Sequence, residues 1–119
     1  MATEHIIAQI GEIPEGDRRI VQIDGREIGV FNVRGQYYAL PNVCAHQFGP
    51  VCKGRISGTL IATAETQWKL QWTNEGEIVT CPWHALEYNI TTGQCLALPN
   101  RRLRTYTVKV EDDQIKLML

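Results

Sequence analysis

Ile20-Val21-Gln22-Ile23 meets Glu27-Ile28-Gly29-Val30-Phe31 across Asp24-Gly25, and this stretch decides the fold class. A two-residue type I′ turn needs positive φ at both central positions, and Asp-Gly supplies them between β-branched runs. Working outward, Arg34-Gly35 makes a second turn before Gln36-Tyr37-Tyr38-Ala39-Leu40. Upstream, Ile6, Ile7 and Ile10 form a first apolar segment and Pro14-Glu15-Gly16-Asp17 a turn. No helical periodicity appears in these residues, so they predict an antiparallel meander and an all-β chain.

The later segments agree. Gln67-Trp68-Lys69-Leu70-Gln71-Trp72 alternates, which predicts a half-buried strand with Trp68, Leu70 and Trp72 on one face; the two tryptophans read as core, with a docking patch as the sharper alternative. Ser57-Gly58-Thr59 and Asn74-Glu75-Gly76 read as turns, and Glu77-Ile78-Val79-Thr80 as a strand running into Cys81. Cys95-Leu96-Ala97-Leu98 is short and apolar and is broken by Leu98-Pro99-Asn100. Thr105-Tyr106-Thr107-Val108-Lys109-Val110 alternates, and Asp112-Asp113 turns it into Gln114-Ile115-Lys116-Leu117, a closing hairpin that returns to the meander.

At 119 residues the chain is read as one domain, 1–119. A chain this long can bury roughly 65% of the surface its unfolded form exposes. A hydrophobic content of 44%, a charged content of 21% and a net charge of −1 are those of a soluble globular protein. They give no pull toward nucleic acid or anionic lipid. Met1-Ala2-Thr3-Glu4-His5-Ile6-Ile7 has neither the basic nor the apolar region of a secretion signal, and no apolar run is long enough to span a bilayer. The expectation is a cytoplasmic protein.

The chemistry lies in Cys44-Ala45-His46 and Cys81-Pro82-Trp83-His84. The chain has three histidines, and two of them sit here, each closely following a cysteine. Two thiolates and two imidazoles suit zinc or an iron–sulfur cluster and do not suit magnesium or calcium. In a chain without a secretion signal, metal binding is the better reading of these cysteines than disulfides. Cys52 and Cys95 read as small buried hydrophobes, with a disulfide or redox role as the sharper alternative. His5 reads as a surface residue beside an edge strand.

The C-x-H and C-x-x-H pair resembles the Rieske family of [2Fe–2S] proteins, in which two cysteines hold one iron and two histidines the other. The flanks extend the resemblance. Gln47-Phe48-Gly49-Pro50-Val51-Cys52-Lys53-Gly54 is similar to the family's Gly-Pro cluster loop, and Ala85-Leu86-Glu87-Tyr88-Asn89-Ile90-Thr91-Thr92-Gly93 to its aromatic strand and turn. The resemblance implies an antiparallel β-sandwich or barrel base with a cluster-binding subdomain inserted at about residues 43–98. It also implies one [2Fe–2S] cluster, with Cys44 and Cys81 on the iron that stays ferric and His46 and His84 on the one that cycles. Pro99 is carried over as part of a proline segment covering the cluster's third side. Trp83 is expected to pack under the cluster.

High-potential members of the family carry an extra cysteine in each ligand loop and join the two by a disulfide. The matching positions here are Gly49 and Trp83, so that bridge cannot form. Those members also have a serine that donates to a cluster sulfide where this chain has Leu86, whereas Tyr88 keeps the family's tyrosine. Losing a donor near the sulfurs lowers the potential, so the expectation is the low end of the Rieske range of roughly −150 to +300 mV.

By resemblance, the function is soluble electron transfer from a flavin-dependent NAD(P)H reductase to a terminal oxygenase, as a ferredoxin component and not as an enzyme. A Rieske oxygenase would need a second iron held by two histidines and a carboxylate. With His46 and His84 used, His5 alone remains. A small redox subunit or redox-sensing protein of a larger complex, and a zinc-stabilised interaction module, stay open as alternatives. The Arg101-Arg102-Leu103-Arg104 run reads as a solvated strand edge, with partner binding the sharper alternative. The 34 residues between His46 and Cys81 are roughly double the spacer of compact Rieske ferredoxins; the extra length is expected to form a hairpin flanking the cluster subdomain.

Overall fold

The computed structural model describes residues 3–43, 49–83, 85–98 and 100–119. Nine strands form three three-stranded antiparallel sheets, so the chain is all-β as expected. The first sheet joins β1 (Glu4–Gln9), β9 (Gln114–Met118) and β8 (Val108–Glu111) in that order. The second joins β2 (Arg18–Ile23), β3 (Arg26–Val33) and β4 (Gln36–Pro41). The third joins β5 (Arg55–Ile61), β6 (Gln71–Thr80) and β7 (Glu87–Asn89).

The left-handed pair expected at Asp24-Gly25 is present, and the turn at Arg34-Gly35 adopts one as well. Asp24 and Gly25 have φ of 51° and 78°, and Arg34 and Gly35 have 53° and 88°. Asp112 and Asp113, at 52° and 61°, turn β8 into β9. The meander is therefore β2-β3-β4, and β1 departs from it: β1 pairs with β9, where Glu4 faces Met118. The closing hairpin supplies this edge, leaving β1 in a sheet of its own with β8 and β9. The two base sheets meet where Tyr106 N–H donates to the Ala39 carbonyl at 3.0 Å.

The period-2 alternation of β3 divides the interior into two cores. Ile28 and Val30 join Ala8, Ile13, Ala39, Ile115 and Leu117 between the base sheets. Phe31 and Val33 join Leu40, Val51, Cys52, Val79, Cys81, Tyr88 and Cys95, where the base meets the third sheet. Gly29 lies on this second face. A Cβ there would fall 2.5 Å from the Cys52 Cβ, so glycine at this position lets Cys52 sit directly on the strand.

Three strand-level expectations are corrected. Gln67 and Trp68 have φ of 57° and 60° inside a turn, so the alternating run is not one strand, and β6 begins only at Gln71. Trp68 and Leu70 are each 73% exposed and Trp72 is 52% exposed, so these side chains are not core. Ser57-Gly58-Thr59 stays within β5, and Asn74-Glu75-Gly76 stays within β6. The strand pairing slips between Ser57 and Thr59, while Asn74 and Gly76 take positive φ, so what reads as two turns is an irregularity in one long hairpin. That hairpin is what the long spacer builds.

Candidate metal centre

Of the four candidate ligands, Cys81 lies among the described residues; Cys44, His46 and His84 lie outside them, as does Pro99. Cys81 follows β6 directly and is fully buried, while its neighbours Pro82, Trp83 and Ala85 are exposed. Its N–H donates to the Leu86 carbonyl at 2.8 Å, and its carbonyl accepts from Ala85 N–H at 2.9 Å. The chain closes this tight loop with Ala85 at φ 58°. These bonds hold the loop's ends together and set a buried thiol one residue beneath a solvent-facing edge.

The other loop comes to the same place. A Cβ on Gly49 would fall 3.1 Å from the Cys81 Sγ and 2.8 Å from the Trp83 Cγ. The two positions that carry cysteines in the high-potential family members are thus neighbours here, filled by a glycine and an indole. Trp83 is 59% exposed, so it flanks the site at the surface and does not pack beneath it. The absence of a side chain at Gly49 lets the Trp83 indole and the Cys81 sulfur close against the chain there. A buried thiol in a donor set of two cysteines and two histidines fits a metal–sulfide group.

The first ligand loop is clamped by residues that the sequence reading did not single out. After Pro50, residues Val51–Lys53 make a single 3₁₀ turn. Asn42, at the end of β4, accepts the Cys52 N–H through Oδ1 at 2.8 Å, joining residues on either side of positions 44–48. Arg18 of β2 donates to the carbonyls of Cys52 and Gly54. Gly54 packs on the carbonyl of Thr80, the residue before Cys81, and Arg55 pairs with Thr80. The segment that follows the first ligand loop is therefore braced through backbone against the strand end that leads into the second. The one cue for Asn42 was its place just before the ligand loop, where asparagine side chains commonly bond nearby backbone.

Cys52 and Cys95 are buried and, like Cys81, stand in no disulfide. Burial in apolar surroundings pushes the Cys52 thiol up to about 12, despite a backbone hydrogen bond and the Arg18 charge acting the other way. Its sulfur points to the carbonyls of Leu40 and Pro41 at 3.5 and 3.4 Å. It is a packing residue. Tyr88 is fully buried on β7 in the same core as Cys81. Leu86 is half-buried against that core. In the 101–104 run, Leu103 is buried and the three arginines are exposed. His5 lies within β1 and is half-buried, with Nε2 enclosed and without a hydrogen-bond partner, so it is not the free surface residue expected.

Among the described residues, no helix is long and apolar enough to cross a membrane.

A family model for the Rieske [2Fe–2S] domain matches residues 3–107. The ferredoxin component of the naphthalene 1,2-dioxygenase/salicylate 5-hydroxylase systems of a Ralstonia species is 29% identical over 113 residues, covering 94% of this chain and 91% of that protein. Among solved structures, the ferredoxin of the reduced oxygenase–oxidised ferredoxin complex of carbazole 1,9a-dioxygenase superposes with a TM-score of 0.73 at 20% identity, covering 96% of this chain and 91% of that one. A putative NADH-dependent nitrite reductase small subunit from Mycobacterium tuberculosis superposes with a TM-score of 0.74 at 16% identity, covering 100% and 96%. At these identities the structural likenesses show a shared fold. The match over nearly the whole chain makes this protein a member of the Rieske [2Fe–2S] family, with one Rieske-type cluster as its cofactor.

Proposed function

We propose that this chain is the ferredoxin component of an oxygenase system. It takes single electrons from a flavin-dependent NAD(P)H reductase and delivers them to a terminal oxygenase, in the cytoplasm. The observation that carries the reading is the burial pattern at the second ligand loop: Cys81 is fully enclosed while Pro82, Trp83 and Ala85 face solvent. Such a site shields its metal group from water yet keeps it within one residue of a docking partner. The relatives named as ferredoxin components of dioxygenase systems support the same role.

Cys44, His46, Cys81 and His84 are the residues that would hold the cluster, which when bound supplies a one-electron couple. The segment at about 43–98 forms the cluster-binding unit on the β base. Around it, Gly49 lets Trp83 and Cys81 approach closely, Asn42 and Arg18 fix the segment that follows the first loop, and Leu86 withholds the hydroxyl donor that raises the potential of other members. Purified protein is expected to be coloured, to contain iron and acid-labile sulfide in equal amounts, and to be reduced by a flavoprotein reductase and reoxidised by an oxygenase. Cys81→Ser and His84→Ala should each abolish the cluster. A colourless protein holding zinc without labile sulfide would overturn the assignment.

A further inference from the structure

The β5–β6 hairpin carries an apolar face for which the cluster chemistry has no use. Leu60 of β5 and Trp72 of β6 are directly opposed across the ladder, so both project from the same side of the sheet. Leu60 is 56% exposed and Trp72 52%. Trp72 is nonetheless fixed. Its indole N–H donates to a Glu75 carboxylate oxygen at 2.5 Å, and its ring lies over Gly58, where a Cβ would come within 2.9 Å of two ring atoms. A large aromatic that is rigid before binding loses little freedom on being covered, which is the signature of an interface anchor. Exposed apolar side chains grouped this way mark interaction surfaces.

Trp72 and Leu60 line a groove of about 790 Å³ whose far wall is Cys81, Pro82 and Ala85 of the second ligand loop. The hairpin face is thus continuous with the exposed residues of the second ligand loop. A partner seated closely enough on that loop to accept an electron lies over the hairpin as well. The charged residues of the groove wall are Lys53, Arg55 and Glu87, one positive charge in excess, and Leu60 and Trp72 supply its apolar part.

The geometry points to the Leu60–Trp72 face as a second docking surface for the terminal oxygenase, alongside the cluster edge. This rests on the reading of the chain as an oxygenase ferredoxin. The occupant is an apolar patch of the oxygenase next to its own electron-entry site, with Trp72 as the anchor.

The test places the photo-crosslinking residue p-benzoylphenylalanine at Trp72, at Trp83 on the cluster edge, or at Val110 on β8 as a control. Each variant is expressed in the cells from which the chain comes and checked for an intact cluster spectrum. Crosslinked partners are then identified by mass spectrometry. The expected result is capture of a terminal oxygenase, identified by its own Rieske motif and its two-histidine, one-carboxylate iron site, from positions 72 and 83 and not from 110. Capture from 83 without capture from 72 overturns the hairpin surface and leaves the ferredoxin reading standing. Capture at 72 of only a second copy of this chain, or only of the reductase, also overturns it. Absence of an oxygenase at both 72 and 83 brings down the ferredoxin reading, and this inference with it. With the captured oxygenase purified, the Leu60→Ala/Trp72→Ala double variant should bind it at least about tenfold more weakly than the wild type, with its cluster spectrum unchanged. Equal affinity would overturn the surface.

Discussion

Gly54→Ala probes the brace between the segment that follows the first ligand loop and the strand end that leads into the second. A Cβ at Gly54 would fall 1.7 Å from the Thr80 carbonyl oxygen, 2.7 Å from its carbon and 3.1 Å from the Val51 oxygen. All three atoms are backbone, so no side chain can rotate away. The chain must open by at least about 1.3 Å for the nearest contact to reach the 3.0 Å that real Cβ atoms keep. Thr80 immediately precedes Cys81, and Gly54 is held on its other side by Arg18, so the strain falls on the ligand loops. Overpacking costs typically about 1–3 kcal/mol, and a clash with backbone belongs at the top of that range. About 3 kcal/mol in a domain of this size lowers Tm by roughly 10–20 °C. The assay is thermal unfolding alongside iron and labile-sulfide content after purification. The expected outcome is that drop with substoichiometric cluster. Gly11→Ala is the control. Gly11 has φ 95° and open space around it, so the variant loses roughly 1–2 kcal/mol to backbone strain and keeps its cluster. A Gly54→Ala protein with full cluster content and a Tm no lower than that control would refute the brace.

Four further outcomes are expected. The Cys52 thiol is pushed from 9.0 to about 12 by burial, so the fold favours its neutral form. The associated stability is whole below pH 9 and is lost as pH rises toward 12; at about 1.36 kcal/mol per unit it amounts to about 4 kcal/mol, and urea unfolding at pH 8 and pH 11 should show a loss that Cys52→Ala removes. Arg18→Met deletes a charged donor to the Cys52 and Gly54 carbonyls and should cost about 2 kcal/mol in the same assay. Tyr88→Phe should lower the redox potential by about 40 mV, the equivalent of one hydrogen bond of about 1 kcal/mol, and the wild-type potential itself should lie below about +200 mV by redox titration.

The parts of the fold legible in the sequence were those set by local backbone chemistry. Asp24-Gly25 and Asp112-Asp113 adopt the left-handed pairs that aspartate and glycine tolerate, Arg34 takes the same conformation beside Gly35, and the hairpins follow. Partner choice between distant strands was not legible. Nothing within β1 states that it pairs with β9, since that pairing depends on where the closing hairpin lands. The alternation of Gln67–Trp72 misled because period 2 reports which residues share a face, not whether anything covers it. Here Trp68, Leu70 and Trp72 stand in solvent, and the turn at Gln67 and Trp68 interrupts the strand. The apparent turns at 57–59 and 74–76 were misread for a related reason. Glycine marks a positive φ or a close approach, and inside a long hairpin it signals a bulge as readily as a reversal.

At the candidate site, the paired C-x-H and C-x-x-H spacing pointed to the family that the match over residues 3–107 shows. Gly49 and Trp83 were singled out as the positions that forbid a disulfide, and they prove to be neighbours over the Cys81 sulfur. The orientation of Trp83 was not legible. An indole beside a buried ligand packs inward or outward according to what the facing loop leaves open. Asn42, Arg18 and Gly54 escaped notice because their roles are contacts across 10 to 36 residues, made to backbone atoms that every sequence possesses. The groove between Trp72 and Ala85 escaped for the same reason, since it exists only once the hairpin and the ligand loop lie side by side.

The most direct test of the central claim is EPR spectroscopy of the dithionite-reduced protein beside its His84→Ala variant. A [2Fe–2S] cluster held by Cys44, His46, Cys81 and His84 predicts a reduced-cluster signal in the wild type whose average g is lower, hence at higher field, than that of an all-cysteine cluster, integrating to one spin per chain, and its loss in the variant. An EPR-silent protein, or a signal that survives the substitution unchanged, would contradict it.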